Sequence, residues 1–217
     1  QNFSYACADP PMECQVVIPK RDNRTGGPVA NCAFTVKEWS AERNAWVNYT
    51  VLERGTNGDY RIPESVKALY YTPSNQGRYQ ITETSSPSGY IQNNRTFTVT
   101  VDKAANGKTL YLTDNGITET AGGVFTNKEI RGEITLTKSD SERETNLPQG
   151  DAVLSGAEYT LYAKADIMHP DGITGVLYKA GEMVTSAVTD ANGRLAFKDL
   201  YLGSYTVRET KASEGYL

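Results

Sequence analysis

Apolar and polar side chains alternate along most of this chain in short runs, and turn-forming residues interrupt the alternation at close intervals. The pattern predicts strands near 15–20, 32–39, 45–53, 77–83, 95–101, 108–113 and 123–128, and again near 132–138, 156–163, 174–178, 182–189, 194–199 and 203–209. Between them stand Thr25-Gly-Gly-Pro28, Thr56-Asn-Gly-Asp59, Ser86-Pro-Ser-Gly89, Ala105-Asn-Gly-Lys108, Asp114-Asn-Gly116 and Asp190-Ala-Asn-Gly193. These supply the positive or fixed φ that tight reversals need. With no long helical stripe or extended apolar run, and with Thr, Tyr, Val and Gly abundant, the expectation is an all-β protein of sandwich type.

The order of elements occurs twice. Gly77-Arg-Tyr-Gln-Ile-Thr-Glu-Thr-Ser-Ser-Pro-Ser-Gly-Tyr-Ile91 aligns without gaps on Gly203-Ser-Tyr-Thr-Val-Arg-Glu-Thr-Lys-Ala-Ser-Glu-Gly-Tyr-Leu217. Upstream, Val17-Ile-Pro-Lys-Arg-Asp22 matches Thr135-Leu-Thr-Lys-Ser-Asp140, and Ala33-Phe-Thr-Val36 matches Glu158-Tyr-Thr-Leu161. The prediction is an N-terminal segment over 1–14, one β-sandwich domain over 15–130 and a second over 131–217. The second copy has no equivalent of residues 92–128, so it is expected to lack its last strands. With only Lys128-Glu-Ile-Arg131 at the junction, the two domains are expected to lie end to end.

Composition narrows the function. A chain of 217 residues with a formal charge of −4 and interspersed signs offers no basic stripe for nucleic acid and no polybasic segment for a membrane surface. It contains neither a signal peptide nor an apolar stretch of spanning length. Cys7, Cys14 and Cys32 are too few for a disulfide framework; a Cys7–Cys14 bridge and a free buried thiol at Cys14 or Cys32 both remain open.

Candidate chemistry comes from three residues that break the inside-outside rule. Side chains two apart on a strand share a face, so the alternation that buries Val16 and Ile18 also carries Lys20 inward. Tyr79 and Ile81 carry Glu83 with them, and Phe125 carries Asn127. The second copy repeats this with Ile134, Leu136 and Lys138 and with Tyr205, Val207 and Glu209. Lys and Glu are seldom buried unless paired. A desolvated lysine tends to the neutral amine and a desolvated glutamate to the protonated acid, the states in which an amine can attack a carboxamide with acid assistance. The alternative is a surface ion pair in which Lys20 snorkels to Glu83.

A strand ending in Lys-x-Asp, a small residue before Phe/Tyr-Thr-Val/Leu, then Gly-x-Tyr-x-Val/Ile-x-Glu-Thr and Gly-Tyr, resembles the prealbumin-like SpaA/CnaB domains of Gram-positive adhesins and pilins. The resemblance spans nearly all of the chain beyond residue 14. It implies tandem Ig-like, prealbumin-like sandwiches, an autocatalytic isopeptide bond from Lys20 to Asn127 with Glu83 as the catalytic acid, and the same roles for Lys138 and Glu209. Ser213 departs from the pattern, where the family usually has proline.

That resemblance implies a structural stalk or backbone segment of an extracellular, cell wall-anchored surface protein, with neighbouring domains as partners, no cofactor, no metal and no enzymatic turnover. A second reading is a ligand-binding module for host extracellular matrix or glycans, with Trp39, Trp46 and the 54–76 segment as its contact surface. A hydrolase would rest on His169 alone, the one histidine. Leu147-Pro-Gln-Gly150 resembles a sortase signal only faintly and reads as a loop, and Asp190-Ala-Asn-Gly193 reads as a hairpin turn.

Overall fold

The structure is a computed structural model that describes residues 9–139 and 153–216. Cys7, Asp140, Leu147-Pro-Gln-Gly150 and Leu217 lie outside the described residues. The chain divides into two compact units, Gln1–Glu129 and Ile130–Leu217. Among the described residues there are strands and turns and no helix.

The first unit contains β1 (Glu13–Ile18), β2 (Lys20–Asp22), β3 (Ala33–Ser40), β4 (Ala45–Val51), β5 (Glu53–Arg54), β6 (Tyr60–Arg61), β7 (Leu69–Tyr70), β8 (Arg78–Ser85), β9 (Tyr90–Ile91), β10 (Thr96–Thr100), β11 (Thr109–Thr113), β12 (Gly116–Thr118) and β13 (Phe125–Glu129). One sheet runs β12-β11-β1-β6-β5, with β7 also on β1. A second runs β10-β8-β3-β4, and β2-β13-β9 forms a third ribbon. Inward residues of both large sheets and of the ribbon make one core: Val16 and Ile18 from β1, Phe34 and Val36 from β3, Tyr79 and Ile81 from β8, Phe97 and Val99 from β10, Leu112 from β11 and, from the ribbon, Phe125 of β13. This is the sandwich that the alternation predicts.

Several details differ from the sequence expectation. The strand predicted at 15–20 is broken at Pro19, which has no N–H to give a ladder. Before the break β1 pairs in parallel with β11, Val17 opposite Tyr111; after it β2 pairs in parallel with β13, Lys20 opposite Phe125. The proline thus transfers the first strand from one partner to another and sets Lys20 beside the strand that leaves the unit. The strand begins at Glu13, inside the segment expected to precede the domain. The 54–76 stretch is in part core: Tyr60, Ile62 and Leu69 from it belong to the core, and residues such as Arg54, Asn57, Glu64 and Ser74 are exposed.

The second unit contains β14 (Arg131–Thr137), β15 (Glu158–Ala163), β16 (Ile167–Met168), β17 (Val176–Tyr178), β18 (Met183–Val188), β19 (Arg194–Tyr201) and β20 (Tyr205–Lys211). Its sheets are β14-β19, β18-β15-β20 and the hairpin β16-β17. Leu161, Leu195, Phe197 and Leu200 centre its core. The β15-β18 and β15-β20 pairings repeat β3-β4 and β3-β8, including a bulge after Leu161 where the first unit has one after Val36. Equivalents of β10, β11 and β13 do not occur among the described residues, so one edge of β20 and one of β14 have no neighbouring strand.

The two repeat glycines serve different ends. Gly77 takes φ +69, and a side chain there would collide with the Val101 carbonyl; Gly203 instead leaves room for Ile167. Ser213 opens the same turn as Pro87: Tyr216 N–H donates to the Ser213 carbonyl at 3.1 Å, as Tyr90 N–H does to Pro87 at 3.2 Å. The Ser213 hydroxyl is buried without a hydrogen bond. Ser213→Pro is therefore expected to stabilise the second unit by about 1 kcal/mol, through a stiffer unfolded chain and removal of an unsatisfied hydroxyl. A urea midpoint for that unit at or below the wild-type value would contradict this.

Candidate cross-linking site

In the first unit the parallel β2-β13 pairing and the antiparallel β3-β8 pairing converge on three side chains. Lys20, Glu83 and Asn127 come from β2, β8 and β13, and all three are buried. Lys20 Nζ lies 3.4 Å from Glu83 Oε1, with both side chains fully shielded from solvent. Asn127 Nδ2 donates to the same Oε1 at 2.9 Å. Lys20 Nζ makes no hydrogen bond, and neither does Asn127 Oδ1. The surface ion-pair alternative does not describe this site.

The walls are aromatic. Lys20 Nζ stands 4.8 Å from the centre of the Phe125 ring, which packs on Phe34 and Phe97 at 5.8 Å each. Burial pushes the Lys20 ammonium below its ordinary range, and the charge of Glu83 opposes this only in part. The lysine is therefore biased toward the amine, the nucleophilic form. The Cys32 thiol feels the charges of Lys20 and Glu83; burial above all pushes it up to about 11, so it stays a neutral thiol. Cys14 is likewise free, buried and raised to about 11.

Sequence alternation finds Lys20, Glu83 and Asn127 but not the groups that hold them. Glu83 Oε2 accepts the main-chain N–H of Asn93 at 2.8 Å, and Gln92 Nε2 donates to the Glu83 carbonyl at 2.7 Å. A main-chain donor in a connection leaves no signature in residue types. Asp22, next on the inward face after Lys20, accepts the Tyr90 hydroxyl at 2.5 Å and the N–H groups of Arg24 and Thr25 at 2.7 and 2.9 Å. The Lys-x-Asp and Gly-Tyr positions of the repeat could have pointed to that bond.

The matching residues of the second unit also meet. Lys138 Nζ donates to Glu209 Oε1 at 2.8 Å, and the Tyr159 hydroxyl donates to Glu209 Oε2 at 3.2 Å. This pair is more open, with side-chain exposures of 11% and 35%. Burial pulls the Lys138 ammonium down, but the hydrogen bond and charge of Glu209, with Tyr159, more than offset it, and the net shift is upward. Lys138 is held as a cation.

A sequence profile of the SpaA prealbumin-like fold domain matches this chain twice, over residues 14–116 and 132–217. The chain belongs to the SpaA prealbumin-like fold family. No curated protein matches it in sequence. Among solved structures it is similar to the Bacillus anthracis TIE protein, with a TM-score of 0.60 and 23% identity over 93% of this chain. It spans 29% of that protein's length. It is also similar to a C-terminal fragment of the pilus adhesin SpaC from Lactobacillus rhamnosus GG, with a TM-score of 0.50 and 17% identity over 96% of this chain and 78% of that one. At these identities the likeness is one of fold.

The remaining candidate residues of the two SpaA domains have ordinary structural partners. Trp39 and Trp46 face each other across β3 and β4, with ring centres 5.4 Å apart. The Arg78 guanidinium lies 4.4 Å from one ring centre and 5.3 Å from the other, a cation–π partner for both. His169 Nδ1 accepts the N–H of Asp171 at 3.2 Å, and the ring packs on Tyr201. Asp190 Oδ1 accepts the N–H groups of Asn192 and Arg194, closing the turn between β18 and β19; the two strands lie in different sheets, so the turn is a crossing between sheets and not the hairpin the sequence suggests.

Proposed function

We propose that this chain is a stalk or backbone segment of an extracellular, wall-anchored adhesin or pilin, and that its first domain closes on itself through an isopeptide bond between Lys20 and Asn127. The observation that carries this reading is that Lys20 and Asn127 both meet Glu83 Oε1, Nζ as an ion pair at 3.4 Å and Nδ2 as a donor at 2.9 Å, while buried Lys20 Nζ and Asn127 Oδ1 make no hydrogen bond. A buried amine and a buried carbonyl without hydrogen bonds are costly. Joining the two side chains removes the buried charge and makes one amide from the two groups.

The chemistry balances within the three residues. In the amine–acid form of the pair, Nζ attacks Cγ of Asn127, Glu83 gives its proton to Nδ2, and the carboxylate takes one from Nζ. The Cγ–Nδ2 bond breaks, ammonia leaves, and the carboxyl ends protonated as it began. The aromatic walls exclude the water that would compete with the amine. Lys138 and Glu209 occupy the same places in the second domain, and no side-chain amide bonds to either among the described residues. Partners are neighbouring domains and subunits of the same surface assembly.

Intact mass under denaturing conditions is the test. The wild-type chain is expected one ammonia below its sequence mass, and Lys20→Ala, Asn127→Ala and Glu83→Ala each at full mass. A wild-type chain at full mass after prolonged folding would return Lys20 and Glu83 to a buried ion pair.

A further inference from the structure

The two oxygens of Glu83 have different surroundings. Oε1 faces both reactants, Lys20 Nζ at 3.4 Å and Asn127 Nδ2 at 2.9 Å. Oε2 is turned away from them onto the Asn93 N–H at 2.8 Å. Asn93 is itself held at two points. Its Oδ1 accepts the N–H of Arg95 at 3.1 Å, and its Nδ2 donates at 3.3 Å to the carbonyl of Thr126, the residue before Asn127. The connection between β9 and β10 thus grips the strand carrying the acid and the strand carrying the amide together.

The second domain solves the same problem with a different element. Glu209 Oε1 takes Lys138 Nζ, and Oε2 takes the Tyr159 hydroxyl. Tyr159 stands opposite Glu209 in the β15-β20 register, as Phe34 stands opposite Glu83 in β3-β8. Phe34 has no hydroxyl, and there the anchor comes from Asn93. One oxygen pinned and one facing the lysine is common to both sites, although the pinning groups are unrelated in sequence.

We propose that Asn93 is a positioning residue, which pins one Glu83 oxygen so that the other alone carries the proton between the Lys20 amine and the departing Asn127 nitrogen, and that Tyr159 holds Glu209 in the same one-oxygen-pinned state. This rests on the cross-linking reading. A carboxyl free to rotate would divide its time between productive and unproductive orientations, and a misplacement near 1 Å can cost about 10²-fold in such a reaction. Oε1 must deliver its proton to Nδ2 as the Cγ–Nδ2 bond breaks and receive one from Nζ, so it has to stay within reach of both nitrogens. Pinning Oε2 secures that.

The test is the rate of ammonia loss, followed by intact mass after the full chain, kept unreacted in denaturant from synthesis, is diluted into buffer. Asn93→Ala loses both side-chain bonds that aim its N–H and is expected to react roughly ten-fold more slowly while reaching the same final mass. Phe34→Tyr added to Asn93→Ala supplies the second domain's anchor and is expected to restore most of the rate. Melting in an Asn127→Ala background, where no bond forms, is expected to fall by only a few degrees with Asn93→Ala, as for the loss of two ordinary hydrogen bonds, and Phe34→Tyr is expected not to recover it. A wild-type rate for Asn93→Ala overturns the proposal, and so does a slowing that Phe34→Tyr leaves unrestored. A wild-type chain that never loses ammonia sinks the cross-linking reading as well, and is a distinct result.

Discussion

Asn127→Ala is expected to lower the melting temperature of the first domain by on the order of 20 °C while leaving the second domain's transition in place. The proposed bond from Lys20 to Asn127 would tie β2, near the start of the domain, to β13, its last strand, and so would enclose nearly all of the domain. For a disulfide spanning about 100 residues, loop-closure entropy gives about 4.7 kcal/mol of stabilisation, and the same reasoning applies to any cross-link of that span. At several degrees per kcal/mol for a domain of this size, the shift is large. Lys20→Met is expected to fall alongside it, because the isosteric apolar chain fills the aromatic site without restoring the bond. Calorimetry showing both variants within a few degrees of wild type would mean that the link is absent or thermodynamically idle. Single-molecule stretching gives a second measure. Residues between the bonded side chains cannot extend, so wild type is expected to show no unfolding step for the enclosed chain, whereas Asn127→Ala is expected to release on the order of 350 Å of it.

Much of this site is legible in the sequence because the information lies in strand period. Lys20, Glu83 and Asn127 each follow apolar residues at spacing two, and the repeat of Lys and Glu at Lys138 and Glu209 distinguishes a device from an accident of patterning. What alternation cannot show is pairing. That the first strand leaves β11, the partner of β1, for β13, the partner of β2, at Pro19 depends on a missing N–H and on a parallel partner about a hundred residues away. The short strands β5, β6 and β7 were not predicted because segments of two residues carry no periodicity, yet they bring Tyr60 and Leu69 into the core. Asn93 is invisible for another reason: its decisive group is a backbone N–H, which every residue but proline has.

The two domains differ in ways that side-chain identity alone does not announce. Lys20 and Lys138 hold equivalent places, yet one is fully buried and lowered while the other is partly open and raised. The difference follows from which strands cover them. Phe97 on β10 and Phe125 on β13 wall in the first site, and equivalents of those strands do not occur among the described residues of the second. Desolvation, which favours the amine, therefore depends on the strand that also brings the acceptor amide. On the proposed chemistry, such coupling would keep a lysine charged and unreactive until its partner is in place.

The stability of the first domain is also expected to depend on Asp22 in a pH window well below neutrality. Burial raises the Asp22 carboxyl, but hydrogen bonds from the Glu129 side chain, the Tyr90 hydroxyl and the N–H groups of Thr25 and Arg24 outweigh it, and the group sits at about 2 rather than 3.8. Its folded value is therefore depressed. The stabilisation is complete above the unfolded value, near pH 4, and is lost as pH falls through about 2, because protonation then removes acceptors that the turn and Tyr90 require. A shift of this size corresponds to about 1–2 kcal/mol after allowance for solvent screening at the turn. In the Asn127→Ala background, where the cross-link cannot mask unfolding, Asp22→Asn is expected to be less stable than its parent by that amount at pH 5, with the gap closing toward pH 2. Tyr90→Phe removes one of the donors that hold the carboxylate ionised, so it is expected to move the loss of stability to higher pH. Denaturation midpoints whose difference stays constant from pH 5 to pH 2 would show that Asp22 acts through shape and packing rather than through its charge.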